Sequence, residues 1–199
     1  MGRLLFPFLV TVSLSGLAWA ADPVYIPDPN LKAVIEDELW ISDPTPADML
    51  ELTSLTVYPR GILELTGLEY ATNLVTLELT RNLVSDISLL SALSNLETLI
   101  LNNNQVSDMS VVASLNSLEY LDIHDNQISD ISAVSGLSIL HTVILRSNQI
   151  SNISPLSGLI NLEHLDLYWN QIVDVSPLSG LSNLNTLILE RNEISDISA

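Results

Sequence analysis

Two short stretches hold most of the side chains that could do chemistry. "LEYLDIHDN" (118–126) sets Asp122 two residues before His124, and "LEHLDLYWN" (162–170) sets His164 two residues before Asp166, followed by Tyr168 and Trp169. Asp122 and Asp166 could work as the carboxylate pair of a glycosidase, one donating a proton and the other attacking or activating water. His124, Asp166 and a neighbouring serine could be drawn as a nucleophilic triad. His124 and His164 could ligate a metal through their imidazole nitrogens. The aromatic pair could instead grip a partner, and it stands out in a chain with only 5% Phe, Trp and Tyr. Which of these is open depends on the elements that carry the residues.

Those elements follow from an internal repeat. Asn82, Asn104, Asn126, Asn148, Asn170 and Asn192 recur every 22 residues. Each closes the same phrase, L-x-x-L-x-L-x-x-N, as in "LVTLELTRN", "LETLILNNN", "LHTVILRSN" and "LNTLILERN". The fourth and sixth positions alternate in a short strand and point to one side, the core. The Asn ends the strand. Its amide can donate to and accept from backbone groups that lack sheet partners, so stacked coils would align these residues as a ladder. Beyond each Asn the apolar residues fall three apart, for example Ile128, Ile131, Val134 and Leu137. That spacing suits a 3₁₀ or extended return path. Asp86, Asp108, Asp130, Asn152, Asp174 and Asp196 read as caps of its first turn, with Pro155 and Pro177 compatible with a tight turn there. The sequon at Asn152 falls in this capping position, which accounts for it without glycosylation.

This pattern resembles the leucine-rich repeat family, specifically the 22-residue class found in bacterial internalins. The resemblance covers the chain from about Leu52 onward. It implies an α/β solenoid: a right-handed leucine-rich repeat horseshoe with a parallel β-sheet on the concave face, a 3₁₀ or extended convex side and a small helical N-terminal cap. The first repeat, "LTSLTVYPR", is degenerate, with Arg60 in the Asn position, so the ladder should begin one coil later.

The domain reading is a signal peptide at 1–20, a helical cap at 21–51, and repeats over 52–199, namely one degenerate repeat followed by six of 22 residues, the last incomplete. The first segment has Arg3, an apolar run and Ala18 and Ala20 around Trp19, which is a secretory signature. In the cap, Asp28 precedes Pro29, and Leu31, Val34, Ile35 and Leu39 form one stripe, which predicts a helix. "TPAD" (45–48) predicts a second short helix through a Thr45–Asp48 capping arrangement. "IPDPN" lacks the ligand series of a calcium loop. At the other end the chain stops in mid-repeat, which reads as the front of a longer polypeptide or as an edge covered by self-association.

Composition narrows the function further. There is no cysteine, so no disulfide, thiolate nucleophile or lipid-anchored cysteine. Twenty-four acidic residues face six basic ones, for a net charge of −18, which opposes nucleic-acid binding. The repeat leaves positions three, five, seven and eight of the phrase facing outward. Position five alternates Glu78, Ile100, Asp122, Ile144, Asp166 and Ile188, as duplication of a two-repeat unit would produce. Asp122 and Asp166 then lie about 10 Å apart on an open sheet. No long loop interrupts the period to form a pocket or lid, so neither catalysis nor a metal or cofactor is expected.

The expected function is recognition of a protein or surface glycan by a secreted or surface-exposed module, extracellular or periplasmic, that does not span the membrane. The candidate patch is Tyr120, Asp122, His124, Arg146, His164, Asp166, Tyr168 and Trp169, on three adjacent strands. The alternative is a structural or adapter N-terminal part of a longer exported enzyme, adhesin or wall-anchored protein.

Overall fold

The computed structural model describes residues 21–196. The signal segment read at 1–20 and the last three residues lie outside them. Seven strands, β1 (Ser54–Thr56), β2 (Thr76–Glu78), β3 (Thr98–Ile100), β4 (Tyr120–Asp122), β5 (Thr142–Ile144), β6 (His164–Asp166) and β7 (Thr186–Ile188), form one parallel sheet in chain order. Every pair is in register at the repeat period, so Leu55, Leu77, Leu99, Leu121, Val143, Leu165 and Leu187 form one column. The first six are fully buried and Leu187, in the last strand, is exposed. Short 3₁₀ turns on the opposite side close each coil, from Leu68–Tyr70 through Ser176–Leu178. This is the leucine-rich repeat solenoid that the spacing of two, then three, predicts.

The 3₁₀ turns from Ser88–Ala92 to Ser176–Leu178 each start from an Asx-type contact. The carboxylates of Asp86, Asp108, Asp130 and Asp174, and the amide oxygen of Asn152, accept from the backbone N–H two residues on at 2.8–3.0 Å. For Asp86 and Asp108 the backbone N–H of the following serine holds the carboxyl below its ordinary value, and for Asp174 the Ser176 hydroxyl does so first. Pro155 and Pro177 sit in the first turn, where no amide hydrogen is needed.

The N-terminal cap is held by an apolar stripe and by one carboxylate. Helix α1 (Pro29–Leu39) buries Leu31, Val34 and Ile35 over the first coil. Asp28 Oδ1 accepts from the backbone N–H of Asn30 and Leu31, while its Oδ2 accepts from Leu63 N–H at 2.7 Å and Glu64 N–H at 3.4 Å. Upstream, Val24 and Ile26 are buried and pass over Gly67. Gly67 has φ +98°, and an added Cβ would stand 2.6 Å from Ile26 Cγ1, so both the turn and the close approach require glycine.

The second short cap helix is a 3₁₀ turn. Thr45 Oγ1 and N–H both donate to Asp48 Oδ2, and a four-residue 3₁₀ turn, Asp48–Glu51, follows. Leu52 is already extended (ψ 102°), because β1 begins two residues later.

Candidate binding face

The ladder asparagines lie along one edge of the sheet and stitch each coil to the one before. Asn126 is representative: its Oδ1 accepts from Val106 N–H at 2.9 Å, and its Nδ2 donates to the carbonyls of Leu101, Ile123 and His124 at 3.0–3.1 Å. Asn104, Asn148, Asn170 and Asn192 repeat the pattern. Asn82 accepts from both Arg60 and Ile62 N–H, in the coil where Arg60 takes the Asn position. A second asparagine series, not identified in the sequence, enters the strands. Asn73, Asn95, Asn161 and Asn183 each donate to a carbonyl 23 residues earlier at 2.8–2.9 Å. Its signal was present at the same 22-residue period, but Ser117 and Ile139 interrupt it.

The eight candidate residues fall into three structural groups. Asp122, His124 and Asp166 project from the sheet, yet they are only 7%, 6% and 7% exposed. Tyr120, His164 and Tyr168 are half-buried and Arg146 is exposed. Trp169 stands at the rim, 58% exposed.

The buried acids have a local purpose. Asp122 Oδ1 accepts from His124 N–H at 3.2 Å and from the His124 ring Nδ1 at 2.5 Å. Asp166 Oδ1 accepts from Tyr168 N–H at 2.9 Å. In both coils the position-five carboxylate satisfies the position-seven amide beyond the strand end. Ile144 lies in register between the two acids, and Asp122 is itself flanked by Ile100. The carboxylates are therefore turned to their own strands and do not converge on a shared substrate. Among the described residues no three His, Asp or Glu side chains come together as a metal site.

His124 is the middle of a hydrogen-bonded row across position seven. Thr80 Oγ1 donates to Asn102 Oδ1 at 2.5 Å, which turns the Asn102 amide nitrogen toward His124 Nε2 at 3.2 Å. Arg146 Nη2 approaches the same Nε2 at 3.0 Å. Two donors aimed at Nε2 are satisfied by the tautomer that keeps its proton on Nδ1, shared with Asp122. The row thus runs over β2 to β5 and holds the Arg146 guanidinium in place. One strand further, Arg191 lies over the Tyr168 ring, 5.8 Å from its centroid. Burial, with the charges of Asp122 and Glu78 adding to it, pushes the Tyr120 phenol up, so its hydroxyl stays a donor.

Position eight has a property that the repeat pattern alone does not reveal. Arg81, Asn103, Asp125, Ser147, Trp169 and Arg191 all have φ of 52–58°, the left-handed region. Pro59 cannot follow, since its ring fixes φ near −65°, and in that coil the positive φ falls on Gly61 instead. For an L-residue other than Gly, Asn or Asp this conformation costs roughly 1–2 kcal/mol. A tryptophan is a poor choice for such a turn, so the fold itself gains nothing from Trp169. Trp169→Asn is expected to leave stability unchanged or raise it by up to about 1 kcal/mol in urea unfolding. A loss of more than about 1 kcal/mol would show that the indole supports the fold.

Comparison with known proteins agrees with this architecture. Residues 72–114, 94–138, 140–178 and 160–199 match the family described as Leucine Rich repeats (2 copies). No curated protein matches the chain significantly. Among solved structures, an internalin (inlF) from Listeria monocytogenes is similar at 30% identity and a TM-score of 0.76, over 92% of this chain. This chain spans only 62% of that one. Internalin C2 (inlC2) from the same species is 31% identical with a TM-score of 0.67, covering 86% of this chain and 88% of its own. The plant peptide hormone receptor RGFR1, in complex with RGF2, is 27% identical with a TM-score of 0.56, over 63% of this chain and 22% of the receptor. With most of the chain inside repeat matches and the same coil geometry in two internalins, the protein belongs to the leucine-rich repeat family, in its internalin-like class.

Proposed function

We propose that the protein is an exported, non-catalytic recognition module that binds a protein partner on the concave face of its sheet. The observation that carries this reading is the hydrogen-bonded row Thr80–Asn102–His124–Arg146, which anchors a guanidinium on the coil between those that carry Tyr120 and Tyr168. Tyr and Arg held rigidly on adjacent strands lose little entropy on association, and they are the residue types that most often dominate interfaces. The buried Asp122, His124 and Asp166 act as struts for that patch, while Tyr120, Arg146, His164, Tyr168 and Trp169 make the contacts. The RGFR1 complex with RGF2 supports use of such a scaffold for a peptide or protein ligand. Export rests on the signal-like segment at 1–20, and no helix among the described residues is long and apolar enough to cross a membrane.

A second reading takes its support from inlF, of which this chain spans 62%. In it the repeats are the N-terminal adapter of a longer exported enzyme, adhesin or wall-anchored protein, with residues 21–51 as cap and 52–199 as repeats.

The test is a binding titration of exported proteins selected on immobilised wild type. The double variant Tyr120→Ala/Tyr168→Ala should lose roughly tenfold or more in affinity, equivalent to about 1.4 kcal/mol, at unchanged thermal stability. Ile160→Ala, on an exposed residue outside the strands, should bind as wild type. Equal affinity of the double variant and wild type would place the interface elsewhere.

A further inference from the structure

Beside the sheet, three consecutive coils border a shallow, solvent-open hollow of about 420 Å³ lined by Asp125, Asn126, Ser147, Asn148, Gln149 and Trp169. Its size falls within the ~300–1,000 Å³ range of small-molecule sites. Asn126 and Asn148 are spent on the ladder, each amide nitrogen donating to three carbonyls and each oxygen accepting one N–H. The other four residues are differently placed. Among the described residues the Ser147 hydroxyl and the Gln149 side-chain amide make no hydrogen bond. Asp125 Oδ2 accepts only a long bond from Asn103 Nδ2 at 3.4 Å and lies 3.5 Å from His124 Nε2, leaving Oδ1 open. The Trp169 indole is more than half exposed.

The backbone beneath these groups is rigid. Asp125, Ser147 and Trp169 share the left-handed turn conformation, and their N–H groups donate to Arg146, Tyr168 and Glu190 carbonyls at 2.8–3.0 Å. The backbone that carries Asp125, Ser147 and Trp169 is therefore set before any ligand arrives.

We propose that Trp169, Ser147, Gln149 and Asp125 form a binding shelf for a neutral saccharide, with one pyranose ring lying flat on the indole. The C–H bonds on one face of a pyranose carry partial positive charge and meet the electron-rich face of the ring. Its hydroxyls both donate and accept. They match a set that contains a pure acceptor (Asp125), a donor-acceptor hydroxyl (Ser147) and an amide offering both (Gln149). A lysine or arginine side chain would find the carboxylate and the indole, but it brings only donors and itself offers no acceptor to the Gln149 and Ser147 hydrogens. The saccharide is thus the better complement. This shelf meets the concave patch at Trp169 but is otherwise distinct from it: its polar groups stand on the turns, whereas Tyr120 and Tyr168 stand on the face.

Saturation-transfer NMR and calorimetry on the full chain would test this with glucose, galactose, N-acetylglucosamine, cellobiose, maltose and chitobiose. At least one of these sugars should bind with a Kd at or below about 10 mM. Trp169→Asn keeps a residue that tolerates the turn, and with Gln149→Ala it should weaken binding roughly tenfold or more, about 1.4 kcal/mol. Tyr168→Ala should leave sugar binding unchanged, which separates this site from the concave patch. Absence of Trp169-dependent binding across the panel would overturn the proposal. So would a lysine-rich peptide that binds through Trp169 where no sugar does.

Discussion

Asn170→Ala is expected to destabilise the protein by about 3 kcal/mol and to weaken protection of the coils on either side of it. The side chain is 6% exposed and links two coils. Its oxygen accepts from Ile150 N–H at 3.0 Å, and its amide donates to Leu145 and Leu167 carbonyls at 3.1 and 3.2 Å, all buried. Alanine leaves the buried Ile150 N–H without a partner, at ~1–3 kcal/mol, and removes one of two donors from each carbonyl, since Leu145 O keeps Asn148 Nδ2 and Leu167 O keeps Asn192 Nδ2. Ile150 and Leu145 belong to the preceding coil, so the loss falls on the interface term that makes a solenoid cooperative. Asn183→Ala provides the control in the next coil. Its single exposed bond to the Ile160 carbonyl predicts a loss of about 1 kcal/mol or less. Urea unfolding would measure both, and hydrogen exchange would locate the change around Leu145 and Ile150. Equal losses for the two variants would mean that the ladder carries no special share of coil-to-coil coupling.

That asymmetry marks what a sequence of this kind discloses. The period is written in side chains whose role depends on their own coil: leucines that must point inward, an asparagine that must end a strand, and apolar residues spaced for three per turn. Each was readable because the constraint acts locally and repeats. The α1 cap was readable for the same reason, since Asp28-Pro29 and the stripe of Leu31, Val34 and Ile35 form one short signal. The start of the second short cap helix was readable; its length and 3₁₀ form were not. A Thr45–Asp48 capping arrangement specifies how a turn starts, but β1 decided where it stopped.

The candidate face was less legible, because burial on a sheet is set by the neighbouring coils. Position five looks outward in every repeat. Yet Asp122 and Asp166 are covered between isoleucines and tied to their own backbone. The acid–isoleucine alternation, readable as duplication, has a physical consequence in which Asp122 and Asp166 supply their own coils' acceptor for the position-seven amide, while Glu78 accepts from the Thr80 hydroxyl. The side-chain row through His124 joins residues 22 apart and could be found only once the register was known. The left-handed backbone at position eight was hidden because five different residue types occupy its six positions. Only Pro59, which cannot adopt it, and the displaced positive φ at Gly61 hint at it in the sequence.

Asp28→Ala should cost about 3 kcal/mol and detach the cap from the first coil, since one carboxylate both starts the helix and joins it to the repeats. A helix N-cap alone is worth ~0.5–2 kcal/mol. Here the same group also accepts from Leu63 and Glu64 N–H, and hydrogen bonds to a charged acceptor contribute roughly 1.5–3 kcal/mol. The effect should depend on pH in one direction. Burial by itself would raise the Asp28 carboxyl, but N–H donors from Leu63, Leu31, Asn30 and Glu64 outweigh it and hold the group below its ordinary value. A depressed folded-state value means that the ionised carboxylate contributes in full above its unfolded value, about pH 3.9, and that this contribution fades as pH falls through the lower folded value. The stability gap between wild type and Asp28→Asn should therefore be widest near neutrality and narrow below about pH 4. Urea unfolding of both proteins from pH 7 to pH 3 would measure it, and a gap that stays constant would show that the charge on Asp28 is not what binds the cap to the repeats. Loss of protection in Leu31–Ile35, with the later coils still protected, would identify the cap as the unit released.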